Sequence, residues 1–320
     1  MVFRNLPAIK PPALKPGDRV GLACPASRPA SPAVVRQSVK VVEEIGLNAV
    51  VGKHVLNVHG YMAGTDDERL ADLNSFLADD SIAAIFCITG GFGTIHLLDQ
   101  LDYTSIAEHP KIIVGCDDIT SLLLAVHGSS GLITLHGPTL DQVRSRYTFD
   151  RLKTAVTSRD PLPAISVEDC GDERFVPAVA YAPIGGRVEG LALGGNLTAV
   201  VSLMGTPFQP DFDQRILFLE DVNERHDILD RWLTTLYISG HLARTSGVAF
   251  GDFAGCGTKS SYTTLSLEDL FGARVKMLSK PTCFGLPLGQ SDRAATIPIG
   301  INTVFDADKG RLEFTESALA

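Results

Sequence analysis

Acidic residues at two points of the sequence could do acid–base chemistry. Asp117 and Asp118 follow a short apolar run and a turn at Gly115, and Glu220 and Asp221 directly follow a second apolar run. A carboxyl group at the end of a strand is well placed to act as an acid or to orient a base. Acids at such positions can also be helix caps or solvated loop residues, which is the simpler interpretation of Glu220 and Asp221.

A glycine-rich segment, Gly90–Gly91–Phe92–Gly93, lies between an expected strand and an expected helix. Glycines let a chain approach a ligand closely, so the backbone N–H groups here could form an anion or oxyanion site. A tight turn without a ligand explains the same pattern equally well, because a lone glycine turn is weak evidence.

Three other residues are candidates with simple structural explanations. His136 follows a strand and could be a base, but a structural histidine is the expected role. Cys116 lies beside Asp117 and has no evident histidine partner, so we expect a buried, unreactive thiol. Gln290 belongs to the segment GLPLGQSD, which is most simply a turn.

The elements that must position these residues alternate between strand and helix. The stretch KIIVGCDDITSLLLAV, residues 111–126, predicts a buried strand, a tight turn at Gly115–Cys116 and a helix that opens at Asp117–Asp118, where Asp is a favoured N-cap. Such a unit exposes one side chain at the carboxyl edge of a parallel sheet, and here that side chain is Asp117.

The whole pattern predicts an α/β protein. We expect an N-terminal parallel α/β domain over residues 1–150 that contains a nucleophile-elbow-like turn, and a smaller, β-rich α/β domain over residues 183–320. Residues 151–182 are proline-rich and lack sustained periodicity, which indicates a linker.

Composition excludes several classes of protein. The chain has 320 residues and a net charge of −9, which disfavours nucleic acid as a partner. No run reaches the roughly 18 apolar residues of a membrane span. The six cysteines form no CxxC pair, so we expect no metal or disulfide framework, no cofactor and a reducing cytoplasm.

Several ordered segments resemble the LD-carboxypeptidase family, which includes muramoyl-tetrapeptide carboxypeptidases and microcin-immunity peptidases. They include LKPGDRVGLACPAS, CITGGFG, KIIVGCDDITSLLLAV, GGNLTAVVSLMGTP, ILFLEDVNERHDILDRW and GLPLGQ. The resemblance covers nearly the whole chain. It implies two domains joined by a linker, a cytoplasmic homodimer, action on cell-wall fragments, and a Ser–His–Glu triad.

Position by position, the resemblance implies that two members of the triad are replaced. The family's serine falls on Asp117 and its histidine on Gln290, whereas its acidic member is kept as Glu220. Two arginines typical of the family fall on Thr89 and His96. Serine peptidase chemistry needs a hydroxyl nucleophile and an imidazole, which these replacements do not supply.

The preferred hypothesis is therefore acid–base chemistry by Asp117 and Glu220. Two carboxyl groups in one cleft suit glycosidic cleavage beside N-acetylmuramic acid, by a lytic transglycosylase-like route with a 1,6-anhydro product. The same pair could instead activate water against an amide, or the protein could be an inactive muropeptide-binding homologue. The residues expected to bind substrate are Gly90, Gly91, Phe92, Asp118, His136 and Gln290.

Overall fold

The computed structural model describes residues 6–170, 184–257, 265–275 and 279–320. In the first half of the chain the strands and helices are β1 (Arg19–Ala23), α1 (Pro32–Ile45), β2 (Asn48–Val51), α2 (Asp66–Ala78), β3 (Ile82–Cys87), α3 (Tyr103–Glu108), β4 (Ile112–Gly115), α4 (Ile119–Ser130), β5 (Thr134–His136) and α5 (Arg146–Thr157). The second half has β6 (Ile165–Ser166), β7 (Arg187–Asn196), α6 (Leu197–Ser202), β8 (Ile216–Val222), α7 (His226–Ile238), α8 (His241–Arg244), β9 (Gly247–Ala254), α9 (Leu267–Val275), β10 (Thr282–Cys283), β11 (Ile297–Ile299), β12 (Asn302–Asp306) and β13 (Arg311–Phe314). Short 3-10 helices are formed by Thr94–Gln100, Leu140–Gln142 and Val167–Cys170.

The first sheet has the strand order β2-β1-β3-β4-β5-β11. The pairs from β2 to β5 are parallel, and β11 closes the edge antiparallel to β5. The central strands β3 and β4 are almost entirely apolar and buried, as expected for a parallel sheet that is covered on both faces. The predicted α/β class is confirmed, and the carboxyl ends of β4 and β5 lie side by side.

The second sheet has the order β10-β9-β8-β7-β12-β13-β6. Strands β7 to β10 pair in parallel, whereas β12, β13 and β6 add an antiparallel part beside β7. The register sets Asn196 of β7 directly beside Glu220 of β8. The second sheet therefore carries its polar residues where the parallel strands end.

Helix α4 joins the two sheets. Every residue from Ile119 to Val126 is buried, so this helix is covered all round, as expected of a helix inside a protein core. Gly195 of β7 meets it closely, because a Cβ there would lie 2.6 Å from Thr120 Cγ2. The Thr120 hydroxyl also accepts a hydrogen bond from the Asn196 N–H, at 3.1 Å.

In the structure, the two predicted domains are less clearly separated than the sequence suggests. Helix α5 runs through the predicted boundary at residue 150, and β11, from the predicted second domain, completes the first sheet. Residues 171–182 of the predicted linker lie outside the described residues. The domain limits remain a prediction. In the described part of the chain, no helix is long and apolar enough to cross a membrane.

Candidate functional site

Asp117 occupies the tip of the turn between β4 and α4, as the sequence predicts. Its φ of 59° is left-handed, a conformation that Asp tolerates better than most residues. The turn is tight because a Cβ at Gly115 would lie 2.6 Å from Ile119 Cγ2. The Thr120 N–H then donates to the Asp117 carbonyl at 2.9 Å, which starts the helix. Strain of this kind is typical of functional positions.

The Asp117 carboxyl contacts the glycine-rich turn. Its Oδ2 accepts a hydrogen bond from the Gly91 N–H at 2.7 Å. Gly90 makes this approach possible, since a Cβ there would lie 2.5 Å from the same oxygen. Burial, and then the negative charge of Glu220, raise the pKa of Asp117 to about 8, although the Gly91 N–H opposes the shift. Asp117 therefore holds its proton through most of the neutral range.

The glycine-rich turn is fixed by the buried Arg69 of α2. Its Nη1 donates to the carbonyls of Pro25 and, at 2.8 Å, Gly93, and its Nη2 contacts Asp66. A second anchor comes from Ser27, whose Oγ accepts from the Phe92 N–H at 3.2 Å. The turn is thus held rigidly against Asp117 from its other side.

Asp118 does not cap α4, which corrects the sequence-based expectation. It stands at the cap position, but its side chain makes no capping hydrogen bond. Its Oδ2 instead accepts from the Thr94 N–H at 2.7 Å. The carboxyl group binds across to the helical turn that follows Gly93, because the donors at the start of that turn have no partner of their own.

Glu220 is a residue of strand β8 and not of the loop after it. The strand continues to Val222 because β7 and β9 pair with it on both sides. Its carboxyl group is fully buried, and neither oxygen makes a hydrogen bond of normal geometry to a described residue. Burial, followed by the charges of Asp221 and Asp252, raises the pKa of Glu220 well above its usual range. Burial therefore opposes ionisation of Glu220 in the folded protein.

His136, at the end of β5, lies against Glu220 across the two sheets. Its Nε2 is 3.5 Å from Glu220 Oε1, and its ring packs edge-on against Phe218 with centroids 5.4 Å apart. Burial lowers the pKa of His136 to about 4, so the imidazole is neutral. The sequence carries no local signal for this contact, because it joins residues that are far apart in the chain.

Gln290 is connected to the Asp117 turn through two side chains. Its Oε1 accepts from Gln142 Nε2 at 2.5 Å, and Gln142 Oε1 accepts from the Cys116 thiol at 3.1 Å. Gly289, with a φ of 113°, lets this loop approach Glu220, because a Cβ there would lie 2.9 Å from Glu220 Oε2. Gln290 Nε2 is buried without a hydrogen-bond partner among the described residues.

A cavity of about 280 Å³ opens beside these groups. Four of the predicted site residues line it: Gly91, Phe92, Asp117 and Asp118. The other predicted residues, Gly90, His136, Glu220 and Gln290, are not part of its wall. Asp117 therefore faces the cavity, and Glu220 lies buried behind the wall.

Most of the far wall of the cavity was not predicted from the sequence, which indicated only Asp221 as a candidate. It is formed by residues of β7, α6, β8 and the turn after β8, and by one residue each of the Thr94–Gln100 helix and α4: Asn196, Thr198, Ala199, Ser202, Asp221, Val222, Glu224, Ile95 and Ser121. Asn196 caps α6 by accepting from the Ala199 N–H at 3.0 Å, and its Nδ2 donates to Asp221 at 3.1 Å. The capping pattern in GGNLTA was the available signal.

The ionisable side chains that line the cavity are acidic. Its wall contains four carboxyl groups, those of Asp117, Asp118, Asp221 and Glu224, and no Lys, Arg or His among the described residues. Carboxyl oxygens favour ligands that carry an ammonium group or several N–H donors. In the described part of the chain, no three His, Cys, Asp or Glu side chains are arranged to hold a metal ion.

In general class, this protein is a two-domain α/β protein with a polar site at the carboxyl ends of its parallel strands. Residues 20–137 match the LD-carboxypeptidase N-terminal domain, and residues 189–304 match the LD-carboxypeptidase C-terminal domain. The chain belongs to the LD-carboxypeptidase family, as the sequence resemblance indicated.

Named relatives agree with this assignment. A probable murein peptide carboxypeptidase of Bacillus subtilis is 36% identical over 91% of this chain and 89% of its own length. Structures of the microcin C7 self-immunity protein MccF, one with glutamyl sulfamoyl guanosine, match at 24% identity with a TM-score of 0.84, over 97% of this chain and 99% of theirs. A muramoyltetrapeptide carboxypeptidase of Oxalobacter formigenes matches at 23% identity with a TM-score of 0.77, over 92% and 97%.

These findings overturn the preferred hypothesis of a glycosidic lyase. The family and the Bacillus subtilis relative are named for carboxypeptidase activity, which breaks an amide bond and not a bond between sugars. The site also explains why the lyase hypothesis is wrong. It assumed that Asp117 and Glu220 share one cleft, whereas Glu220 is fully buried and is not part of the cavity wall.

Proposed function

We propose that this protein hydrolyses the C-terminal amide bond of murein peptides, with Asp117 as the residue that activates water. The supporting observation is the placement of Asp117. Its carboxyl forms part of the cavity wall at a strained turn, and its pKa of about 8 lets it both take and give a proton near neutral pH. The family name and the murein peptide carboxypeptidase among the relatives support the choice of substrate.

The reaction needs one carboxyl group in contact with water and peptide. The Gly91 N–H holds Oδ2 of Asp117, which leaves Oδ1 for a water molecule in the cavity. Ionised Asp117 takes a proton from this water as its oxygen bonds to the amide carbonyl carbon. Asp117 then returns the proton to the amide nitrogen as the C–N bond breaks, which releases the terminal amino acid.

Glu220 acts through Asp117 and not on the substrate. It lies behind the cavity wall, and its negative charge raises the pKa of Asp117. Two carboxyl groups coupled in this way titrate as a pair, so the site keeps one proton over a wide pH range. In this proposal Glu220 is a positioning residue that sets the pH at which Asp117 ionises.

The remaining predicted residues shape the binding site. Phe92 and Asp118 line the cavity beside Asp117, and Gly90 and Gly91 bring the backbone up to the carboxyl group. His136 and Gln290 support Glu220 and the Cys116–Asp117 turn from behind. We propose an amine-bearing stem peptide as the ligand, because the wall is acidic. Cytoplasmic location and a homodimer, both implied by the resemblance, remain part of this proposal.

One observation favours a second function, a muropeptide-binding protein without turnover. The Gly91 N–H, which an oxyanion would need, already donates to the protein's own Asp117 carboxyl at 2.7 Å. An N–H group that is satisfied in this way stabilises a reaction intermediate only after the carboxyl group moves. A protein that binds the peptide and leaves it intact would fit this arrangement.

An assay for release of the terminal residue from a murein tetrapeptide distinguishes the carboxypeptidase from the muropeptide-binding protein. We expect wild type to release it, with kcat/KM rising with pH towards about pH 8. Asp117→Asn should lower turnover at least about 100-fold while binding is kept. Asp160→Asn, at an exposed position after α5, is the matched control and should change neither turnover nor binding.

Ser121 provides the decisive alternative variant. It is the buried serine of α4 that lines the cavity. Loss of turnover in Ser121→Ala with retention in Asp117→Asn would mean that a hydroxyl nucleophile carries the reaction, and the proposal for Asp117 would be wrong. Peptide binding by wild type without any release would establish the binding function instead.

A further inference from the structure

An aromatic shelf borders the outer edge of the cavity. It consists of Tyr61, Phe92 and His96, whose rings meet edge to face, with centroids 5.5 Å apart in both the Tyr61–Phe92 and the Phe92–His96 pair. Tyr61 is 65% exposed and Phe92 is 44% exposed. Phe92 also lines the cavity, so the shelf continues the site outwards.

The backbone beneath the shelf is firmly held. His59 and Met62 exchange two backbone hydrogen bonds around Tyr61, at 3.1 and 3.0 Å. Met62 is buried against Arg69, and the Phe92 N–H donates to Ser27. Because these hydrogen bonds fix the backbone, the rings stay exposed to water, although burying them would stabilise the folded protein. An exposed apolar patch of this kind beside a cavity indicates a contact surface.

The chemistry of the shelf suits a sugar ring. Aromatic rings present flat apolar faces for the C–H groups of a pyranose. Polar groups stand at the edge of the shelf for its hydroxyls: the Tyr61 hydroxyl, the His96 imidazole and the Asp66 carboxylate, which lies 3.4 Å from His96 Nδ1. A purely apolar partner would cover these polar groups without adding hydrogen bonds to them.

The distance from the reacting carboxyl group also fits. Gly91 contacts Asp117, Phe92 is the next residue, and the Tyr61 ring lies a further 5.5 Å away. Because each of these steps is short, the Tyr61 ring lies within roughly 15 Å of Asp117, a distance that three extended residues and an attached sugar can span. In a muramoyl tetrapeptide, three residues separate the sugar from the terminal amide bond.

We propose that the shelf of Tyr61, Phe92 and His96 binds the muramoyl sugar of the substrate. This inference rests on the proposed function for the peptide part of the ligand. It deepens that function, because it makes the sugar a determinant of affinity and assigns it to residues outside the cavity.

Calorimetry with two ligands tests the proposal: N-acetylmuramoyl tetrapeptide and the same tetrapeptide without sugar. We expect wild type to bind the sugar-bearing ligand about tenfold more tightly, since stacking on one aromatic ring is worth about that much in nucleic acids. Tyr61→Ala should remove the preference and leave the affinity for the bare tetrapeptide unchanged. Val58→Ala, on an exposed side chain of the same loop, is the control and should keep the preference.

Other outcomes would overturn the proposal. Equal affinity of wild type for both ligands, or an equal loss for both in Tyr61→Ala, would show that the shelf does not recognise the sugar. A changed sedimentation coefficient in Tyr61→Ala with unchanged ligand preference would make the shelf an interface between copies of the chain. A saturation-transfer NMR measurement with N-acetylmuramic acid alone tests the sugar site independently of the proposed function. A signal lost in Tyr61→Ala would support the shelf even if neither peptide bound and the proposed function failed.

Discussion

Replacing Asp117 by Asn should change how the stability of the protein depends on pH. The substitution is mild for the structure, because Asn tolerates the φ of 59° and its amide oxygen can still accept from the Gly91 N–H. What the substitution removes is a buried group that must ionise at high pH. The pH dependence of unfolding therefore reports on the carboxyl group itself.

The sign follows from the direction of the shift. The pKa of Asp117 is raised from 3.8 to about 8 in the folded protein, so between these values the folded state binds a proton that the unfolded state releases. Stability from this group is complete below the unfolded pKa and is lost as pH rises through the folded pKa. At about 1.4 kcal/mol per pH unit, the loss is at most about 6 kcal/mol, and water entry into the cavity reduces it.

Urea unfolding at about pH 5 and about pH 9 measures this difference. At the lower pH, wild type and Asp117→Asn should have free energies of unfolding within about 2 kcal/mol of each other. At the higher pH, the variant should be the more stable by about 3 to 6 kcal/mol. Asp160→Asn, at an exposed position, should follow wild type at both pH values. Parallel pH curves for wild type and Asp117→Asn would refute the reasoning, because Asp117 would then ionise at no cost.

Three further predictions concern the groups around Asp117. Arg69→Met should lower the free energy of unfolding by about 3 kcal/mol, because buried carbonyls such as that of Gly93 lose a charged donor, whereas the exposed Arg159→Met should be neutral in the same urea assay. Glu220→Gln should move the rise of kcat/KM to lower pH, since its charge raises the pKa of Asp117, and a pH profile unchanged from wild type would contradict this. Acetylation of the free amine on the stem peptide should weaken binding by about tenfold or more in calorimetry, because the cavity wall is acidic, and equal affinity of both peptides would exclude an ammonium site.

Local patterns predicted the turn that carries Asp117. A β-branched apolar strand, Gly115 and a run of helix-forming residues each act within a few positions of the chain, and all three favour the same structure. The family resemblance rested on the same local segments, so the fold class also followed from sequence.

The sequence predicted less of what surrounds Asp117. Glu220 was expected in a loop after an apolar strand, but pairing with β7 and β9 extends the strand through it and buries it. Its contact with His136 joins positions that are 84 residues apart in the numbering and lie in different sheets. A single sequence carries no local signal for such a contact, because it depends on how α4 and Gly195 bring the sheets together.

Local chemistry also misled in one place. Asp118 has the residue type and position of a helix cap, but its carboxyl group accepts from the Thr94 N–H instead. The donors at the start of the Thr94–Gln100 helix compete for the same side chain and are brought to it by the fold. Capping patterns alone do not reveal such competition.

The central claim is that Asp117 directs water against the terminal amide bond of a murein peptide. It is tested most directly by mass spectrometry of a muramoyl tetrapeptide after incubation with the protein in water enriched in oxygen-18. We expect a shortened peptide whose new carboxyl group carries the label, and no product from Asp117→Asn. An intact peptide, or a labelled product formed equally well by Asp117→Asn, would contradict it.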